Sequence, residues 1–117
     1  MITTACLCGA VRITLDARPD KITQCNCSAC RRFGALWAYA PLDDVSVSGT
    51  TVAYVRGDKS LAFHHCPTCG CVTHWWPLNL DQSPPYAGVN MALADPAAIA
   101  GIPMRRFDGA ETWQFLD

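Results

Sequence analysis

Val11, Ile13 and Leu15 alternate with Arg12, Thr14 and Asp16, the period-two pattern of a strand with one buried face. The turn Arg18-Pro19-Asp20 follows, and 21–24 returns in extended form. Between Asn26 and Phe33, alanine and arginine sit among polar residues, which predicts one or two helical turns starting near Ser28 and stopped by Gly34. Strands are predicted over 36–40, 45–47, 51–56 and 61–65, punctuated by Pro41, Ser48-Gly49 and Gly57-Asp58. Residues 72–76 are rich in β-branched and aromatic side chains, 77–85 form a polar, proline-containing loop, and 86–92 read as another strand. Asp95-Pro96-Ala97-Ala98 places an N-cap before proline at the first helical position, predicting a brief helix up to Gly101. The tail, 104–116, predicts two short strands around an Asp108-Gly109 turn. With no linker or low-complexity segment, residues 1–117 read as a single domain, mainly β, with one or two very short helices.

Half of the 117 residues are hydrophobic and 16% are charged, so the chain can bury a core and is not expected to be disordered. A domain of this size gains from a metal staple. The net charge of −1 offers no footprint for nucleic acid or an anionic membrane. The opening residues lack a basic, apolar leader, and no run approaches the roughly 18 apolar residues of a membrane span. The expectation is a cytoplasmic protein whose thiols stay reduced.

That expectation sharpens the meaning of eight cysteines, Cys6, Cys8, Cys25, Cys27, Cys30, Cys66, Cys69 and Cys71. A disulfide framework needs an oxidising compartment and does not suit tight C-x-C and C-x-x-C clusters separated by strands. Metal binding suits both. Cys6-Leu7-Cys8-Gly9 and Cys66-Pro67-Thr68-Cys69-Gly70 each end in Cys-Gly, and glycine there permits the left-handed turn of a zinc knuckle. Four thiolates from two knuckles make a closed structural site of Cys6, Cys8, Cys66 and Cys69. The third cluster, Cys25, Cys27 and Cys30, spans the start of the predicted helix. Cys71 follows the second knuckle directly and reads as a small buried hydrophobe rather than a fourth ligand. Three ligands with one exchangeable position is the pattern of catalytic zinc. A thiolate-rich site favours a further sulfur and would hold an incoming thiol in its nucleophilic form.

Other residues carry weaker signals. Arg31 and Arg32 could grip a substrate carboxylate or could cap a solvated helix end. Trp37, just after the metal-binding turn, is the tryptophan best placed to face a ligand, while Trp75, Trp76 and Trp113 suit core packing. His64, His65 and His74 read as ordinary strand residues.

The cysteine motifs together resemble a known family, the glutathione-dependent formaldehyde-activating enzymes, which share a domain with centromere protein V. The matching pieces are Cys6-Leu7-Cys8-Gly9-Ala10-Val11-Arg12, Cys25-Asn26-Cys27-Ser28-Ala29-Cys30-Arg31-Arg32, Cys66-Pro67-Thr68-Cys69-Gly70, Leu93-Ala94-Asp95-Pro96 and Arg106-Phe107-Asp108-Gly109. Asn26 stands where many members carry histidine, and Cys71 where many carry threonine or serine. The resemblance implies an Mss4-like zinc-binding fold of short antiparallel sheets. It also implies two zinc ions, the second open and able to be partly occupied, on the two ligand sets just named. The implied activity is that of a carbon–sulfur lyase, joining glutathione to formaldehyde as S-hydroxymethylglutathione. Its partners are then a small thiol and a small electrophile, and a homodimer stays open. Two other classes remain: a non-catalytic zinc module whose second site Cys71 completes as a closed four-cysteine set, and a redox sensor that releases metal on oxidation of the middle cluster.

Overall fold

The computed structural model describes residues 1–57, 59–81 and 85–117. Asp58 of the predicted Gly57-Asp58 turn, and 82–84 of the predicted proline loop, lie outside the described residues. The chain forms strands β1 (Ile2–Ala5), β2 (Arg12–Leu15) and β3 (Ile22–Cys25), helix α1 (Ser28–Phe33), then β4 (Trp37–Pro41), β5 (Val45–Ser48) and β6 (Val52–Val55). It continues through β7 (Leu61–His65), β8 (Val72–Pro77), β9 (Tyr86–Asn90), helix α2 (Pro96–Ile99), β10 (Met104–Asp108) and β11 (Gln114–Phe115). This is the mainly β, Mss4-like arrangement that the cysteine motifs imply.

The strands build two sheets, one ordered β1-β2-β5 and a larger one ordered β11-β10-β3-β4-β9-β8-β7-β6. Pairing is antiparallel throughout the described strands except between β10 and β3, which run parallel with Phe107 opposite Cys25. The small sheet covers one face of the large one. Ile2, Ile13, Leu15 and Val45 from the small sheet pack against Ile22, Ala38 and Val89 from the large one. Because side chains alternate along each strand, the neighbours Thr23, Trp37 and Gly88 turn to the opposite face. The central strands β3, β4 and β9 are thereby buried on both sides. On that opposite face Cys25, Ala29, Cys30, Ala35, Trp37 and Phe63 form a second cluster, and the functional geometry lies here.

Local chemistry explains most element boundaries. Cys27 caps α1, its sulfur accepting from the Cys30 backbone N–H at 3.3 Å, and Gly34 ends it in the left-handed conformation at φ 64°. β9 stops at Asn90, short of the expected 92, because the Asn90 side chain takes over the backbone hydrogen bonding. Its carbonyl accepts from the N–H of Ala92 and Leu36 and its amide donates to the Val72 carbonyl, bending the chain into a 3-10 turn over Met91–Leu93. β1 has no counterpart in the sequence reading. Its buried positions are Ile2 and Thr4, one of them polar, so the alternation is too weak to stand out until pairing with β2 defines it.

Candidate metal centres and the cavity beside them

The loop after β1 and the loop between β7 and β8 meet as two similar knuckles. In each, the first cysteine's N–H reaches the carbonyl five residues on, Cys6 to Val11 and Cys66 to Cys71, both at 3.0 Å. The glycines donate back to the first cysteine's carbonyl, Gly9 to Cys6 at 3.0 Å and Gly70 to Cys66 at 2.9 Å, both with φ 80°. Backbone N–H groups also turn onto the sulfurs, from Val11 to Cys6 at 3.3 Å and from Thr68 to Cys66 at 3.4 Å. The Cys69 thiol is pulled down to about 5 by the backbone N–H groups of Cys71 and Cys8.

The four sulfurs of Cys6, Cys8, Cys66 and Cys69 lie within 4.8 Å of one another, with Cys6 to Cys8 at 3.7 Å and Cys8 to Cys66 at 3.6 Å. A tetrahedron with metal–sulfur bonds of about 2.3 Å has edges of about 3.8 Å, so this set fits a structural zinc ion. Such an ion would clip the small sheet to the large one. Cys71 occupies the position that Val11 holds in the first knuckle, closing the turn through its backbone carbonyl. It packs half-buried beside Cys69 and away from the middle cluster.

The second set, Cys25, Cys27 and Cys30, also brings its sulfurs within 4.8 Å of one another. Two elements position it: Cys25 ends β3, while Cys27 caps α1 and Cys30 lies one turn along it. The Trp37 indole N–H donates to the Cys30 sulfur at 3.2 Å. Gly109, on the turn after β10, approaches so closely that a Cβ there would stand 2.6 Å from the Cys25 sulfur. The Asn26 amide donates to the Asp108 carboxylate at 3.0 Å while its carbonyl accepts from Ala110 N–H at 3.0 Å, stapling that turn to the cysteine motif. Asp108 further accepts from the Thr112 hydroxyl at 2.9 Å. These bonds, the Asn26 amide first, hold its carboxyl below the usual range. The Cys25 thiol is drawn down to about 6, chiefly by the Cys30 thiol and then by the N–H groups of Cys27 and Gly109. Cys30 is pushed up by its hydrogen bond with Cys25 and by burial.

This three-sulfur set opens onto a cavity of about 670 Å³. Its walls are the alternate residues of one sheet face: Trp37 and Tyr39 from β4, Phe63 from β7, Trp75 from β8, Phe107 from β10 and Phe115 from β11. Tyr39, Trp75 and Tyr86 pack their rings edge-on or tilted at centroid distances of 5.6–5.9 Å. Gly88, between Tyr39 and Trp75 in the sheet, makes room for the Trp75 indole, which a Cβ would strike.

With this geometry in hand, comparison with known proteins is decisive. A family model described as glutathione-dependent formaldehyde-activating enzyme matches residues 1–107. The chain belongs to that family. A Rhodobacter sphaeroides protein of known crystal structure is 32% identical, with 88% of this chain and 99% of that chain covered and a TM-score of 0.69. No curated protein matches.

Within this glutathione-dependent formaldehyde-activating family member, the other flagged residues fall in distinct places. Trp37 lines the cavity but is only 1% exposed, so it supports the cysteine cluster more than it presents a surface. Trp75 and Trp113 line the same cavity, contrary to the expectation of core packing, whereas Trp76 packs against the core between the sheets. Neither Arg31 nor Arg32 reaches the cavity. Arg31 borders a smaller hollow of about 290 Å³ behind the cluster, and the exposed Arg32 donates to the Ser28 carbonyl at 2.9 Å. His64 and His74 stack at 4.4 Å, each on a threonine hydroxyl at 2.8 Å, as strand residues that belong to neither cysteine set. The sequence reading missed Lys21, Thr23, Tyr39, Phe107 and Gly109. Alternation back from Cys25 would have pointed to Thr23 and Lys21, and alternation on from Trp37 to Tyr39; Phe107 and Gly109 lie in the matching Arg106-Phe107-Asp108-Gly109 piece, which by itself does not place them at the middle cysteines. Among the described residues no helix is long and apolar enough to cross a membrane.

Proposed function

We propose that the protein is a zinc-dependent enzyme that joins a glutathione-like thiol to a small aldehyde such as formaldehyde, a carbon–sulfur lyase type of reaction. One observation carries this reading: three clustered cysteine sulfurs form the end wall of a cavity lined by aromatic rings. Cys25, Cys27 and Cys30 would hold the catalytic zinc, which, when bound, supplies a charge that keeps an incoming thiol ionised near neutral pH. Cys6, Cys8, Cys66 and Cys69 would hold the structural zinc. Cys71 sits in the other knuckle, so it does not favour a closed second site.

The chain's own groups supply orientation and shelter. Trp37 and the Gly109 N–H hold Cys30 and Cys25 in place. The aromatic walls limit the water that competes with the thiol for the aldehyde. Lys21 is the cationic side chain among the cavity-lining residues, and its ammonium rests 4.6 Å from the Phe115 ring centre. No carboxylate among the described residues pairs with it. Lys21, rather than Arg31 or Arg32, is therefore the better receiver for a carboxylate of the thiol substrate. Reduced thiols require the reducing compartment expected of a cytoplasmic protein.

Two experiments test this function. In cobalt-substituted protein, added glutathione should change the sulfur-to-cobalt charge-transfer bands. Exchange NMR with labelled formaldehyde should show S-hydroxymethylglutathione forming faster than in buffer. Two bound metals with no spectral response to any small thiol, and no rate enhancement, would refute the reading.

A further inference from the structure

Thr23 is 1% exposed, and among the described residues its hydroxyl is the buried side-chain polar atom without a hydrogen-bond partner. Buried hydroxyls are nearly always paired, because an unpaired one forfeits its hydration. Packing does not require a hydroxyl here. Valine has almost the same shape, suits a strand better and leaves no polar atom stranded.

The position of Thr23 gives the hydroxyl a use. Along β3, Ile22 enters the core between the sheets and Gln24 is exposed, while Lys21, Thr23 and Cys25 all line the cavity. These three form a file with a repeat of about 6.8 Å, running from cation to hydroxyl to thiolate. The backbone of Thr23 is fixed on both sides, by pairing with Trp37 on β4 and Arg105 on β10. With the backbone held, what can differ is χ1, and threonine's two common rotamers exchange the places of its methyl and hydroxyl.

We propose that Thr23 is a substrate-binding residue whose hydroxyl donates a hydrogen bond to the carbonyl oxygen of the electrophile. This rests on the thiol–aldehyde reading above. As the thiolate sulfur forms the carbon–sulfur bond, the C=O π pair moves to oxygen. That oxygen then takes from water a proton equal to the one the thiol released on ionising. Thr23 keeps its own proton throughout and stabilises the charge in passing. Bound product presents its new hydroxyl to the same group.

The test compares zinc-loaded wild type with Thr23→Val, Thr23→Ser and Tyr39→Phe, the last removing another hydroxyl that lines the cavity. Thr23→Val should melt about 4 °C higher, since it relieves a stranded polar atom. Its kcat for the glutathione–formaldehyde addition should fall about tenfold with the thiol KM little changed. Thr23→Ser should recover most of that loss, and Tyr39→Phe should show a smaller one. Independently of turnover, cobalt-substituted wild type should bind 2-sulfanylethanol about fivefold more tightly than ethanethiol, and Thr23→Val should lose that preference. Wild type that accelerates nothing yet shows this preference, lost in the valine variant, would sink the reaction while supporting Thr23 as the oxygen site. Equal discrimination between the two thiols by wild type and Thr23→Val would overturn the assignment. So would a valine variant melting several degrees lower, which would mean that the hydroxyl is already paired within the fold.

Discussion

Gly109 stands so near the second cysteine set that a single methyl group there would displace a sulfur. An added Cβ would lie 2.6 Å from the Cys25 sulfur and 3.3 Å from the Cys27 Cβ, where ordinary contact needs roughly 3.5–4.0 Å. In Gly109→Ala either the turn or Cys25 must therefore retreat by about 1 Å. A zinc–sulfur bond tolerates about 0.2 Å, and the Gly109 N–H that helps to keep Cys25 ionised would retreat as well. Perturbing groups that support a ligand typically costs 10- to 100-fold in metal affinity, or about 1.4–2.8 kcal/mol. Competition with a chromophoric chelator should show one zinc released early and the other held as in wild type. Gly101→Ala provides the control, because Gly101 has φ 82° and nothing within 4 Å of its added Cβ. It strains the backbone yet should keep both ions. Unchanged affinity for both zinc ions in Gly109→Ala would refute the argument.

Gly88→Ala should drive the Trp75 indole out of its place, at a cost of about 1–3 kcal/mol. Urea denaturation would read the loss and near-UV circular dichroism the altered aromatic cluster. His74, 3% exposed, has its imidazole brought down to about 4 by burial and then by His64. The unfolded chain takes up that proton as pH falls through about 6.5, while the folded chain resists until about 4. The stability from His74 is thus complete above pH 6.5 and lost as pH drops towards 4, by up to about 3 kcal/mol. His74→Gln should flatten that part of the slope in urea titrations at stepped pH. Cys71→Ser should leave two zinc ions bound, since Cys71 closes its knuckle through the backbone, whereas Cys66→Ser should leave one; metal analysis after dialysis decides it. Lys21→Met should weaken glutathione binding about three- to fivefold, in the range of a partly exposed ion pair, and leave an uncharged thiol unaffected in calorimetry.

Much of the fold was legible because its signals are local. The alternation of Val11, Ile13 and Leu15, the Gly34 stop and the Asp95-Pro96 helix start all lie within a few residues of what they determine. The cysteine motifs were legible for the same reason, as each is a short run of sequence and both knuckles of the first set carry their own glycine. What escaped depends on pairing between distant segments. β1 is defined by its partner strand, and the parallel match of β10 to β3 joins residues some eighty positions apart. The cavity escaped too, since Phe63, Trp75 and Phe107 share a wall only after the sheet order is known. Arg31 and Arg32 drew attention by adjacency to the cysteines, but a helix turns successive side chains about 100° apart, and nearness in sequence did not bring them to the cavity.

The parallel match of β10 to β3 also sets an order of assembly. All four cysteines of the first set, Cys6, Cys8, Cys66 and Cys69, are present once residue 71 has left the ribosome, and domains begin to organise from the N-terminal side during synthesis. The aromatic wall around the middle cysteines instead waits for Phe107, Gly109 and Phe115. A nascent chain can thus bring the four cysteines of the first set together well before the chamber beside Cys25 has its final side.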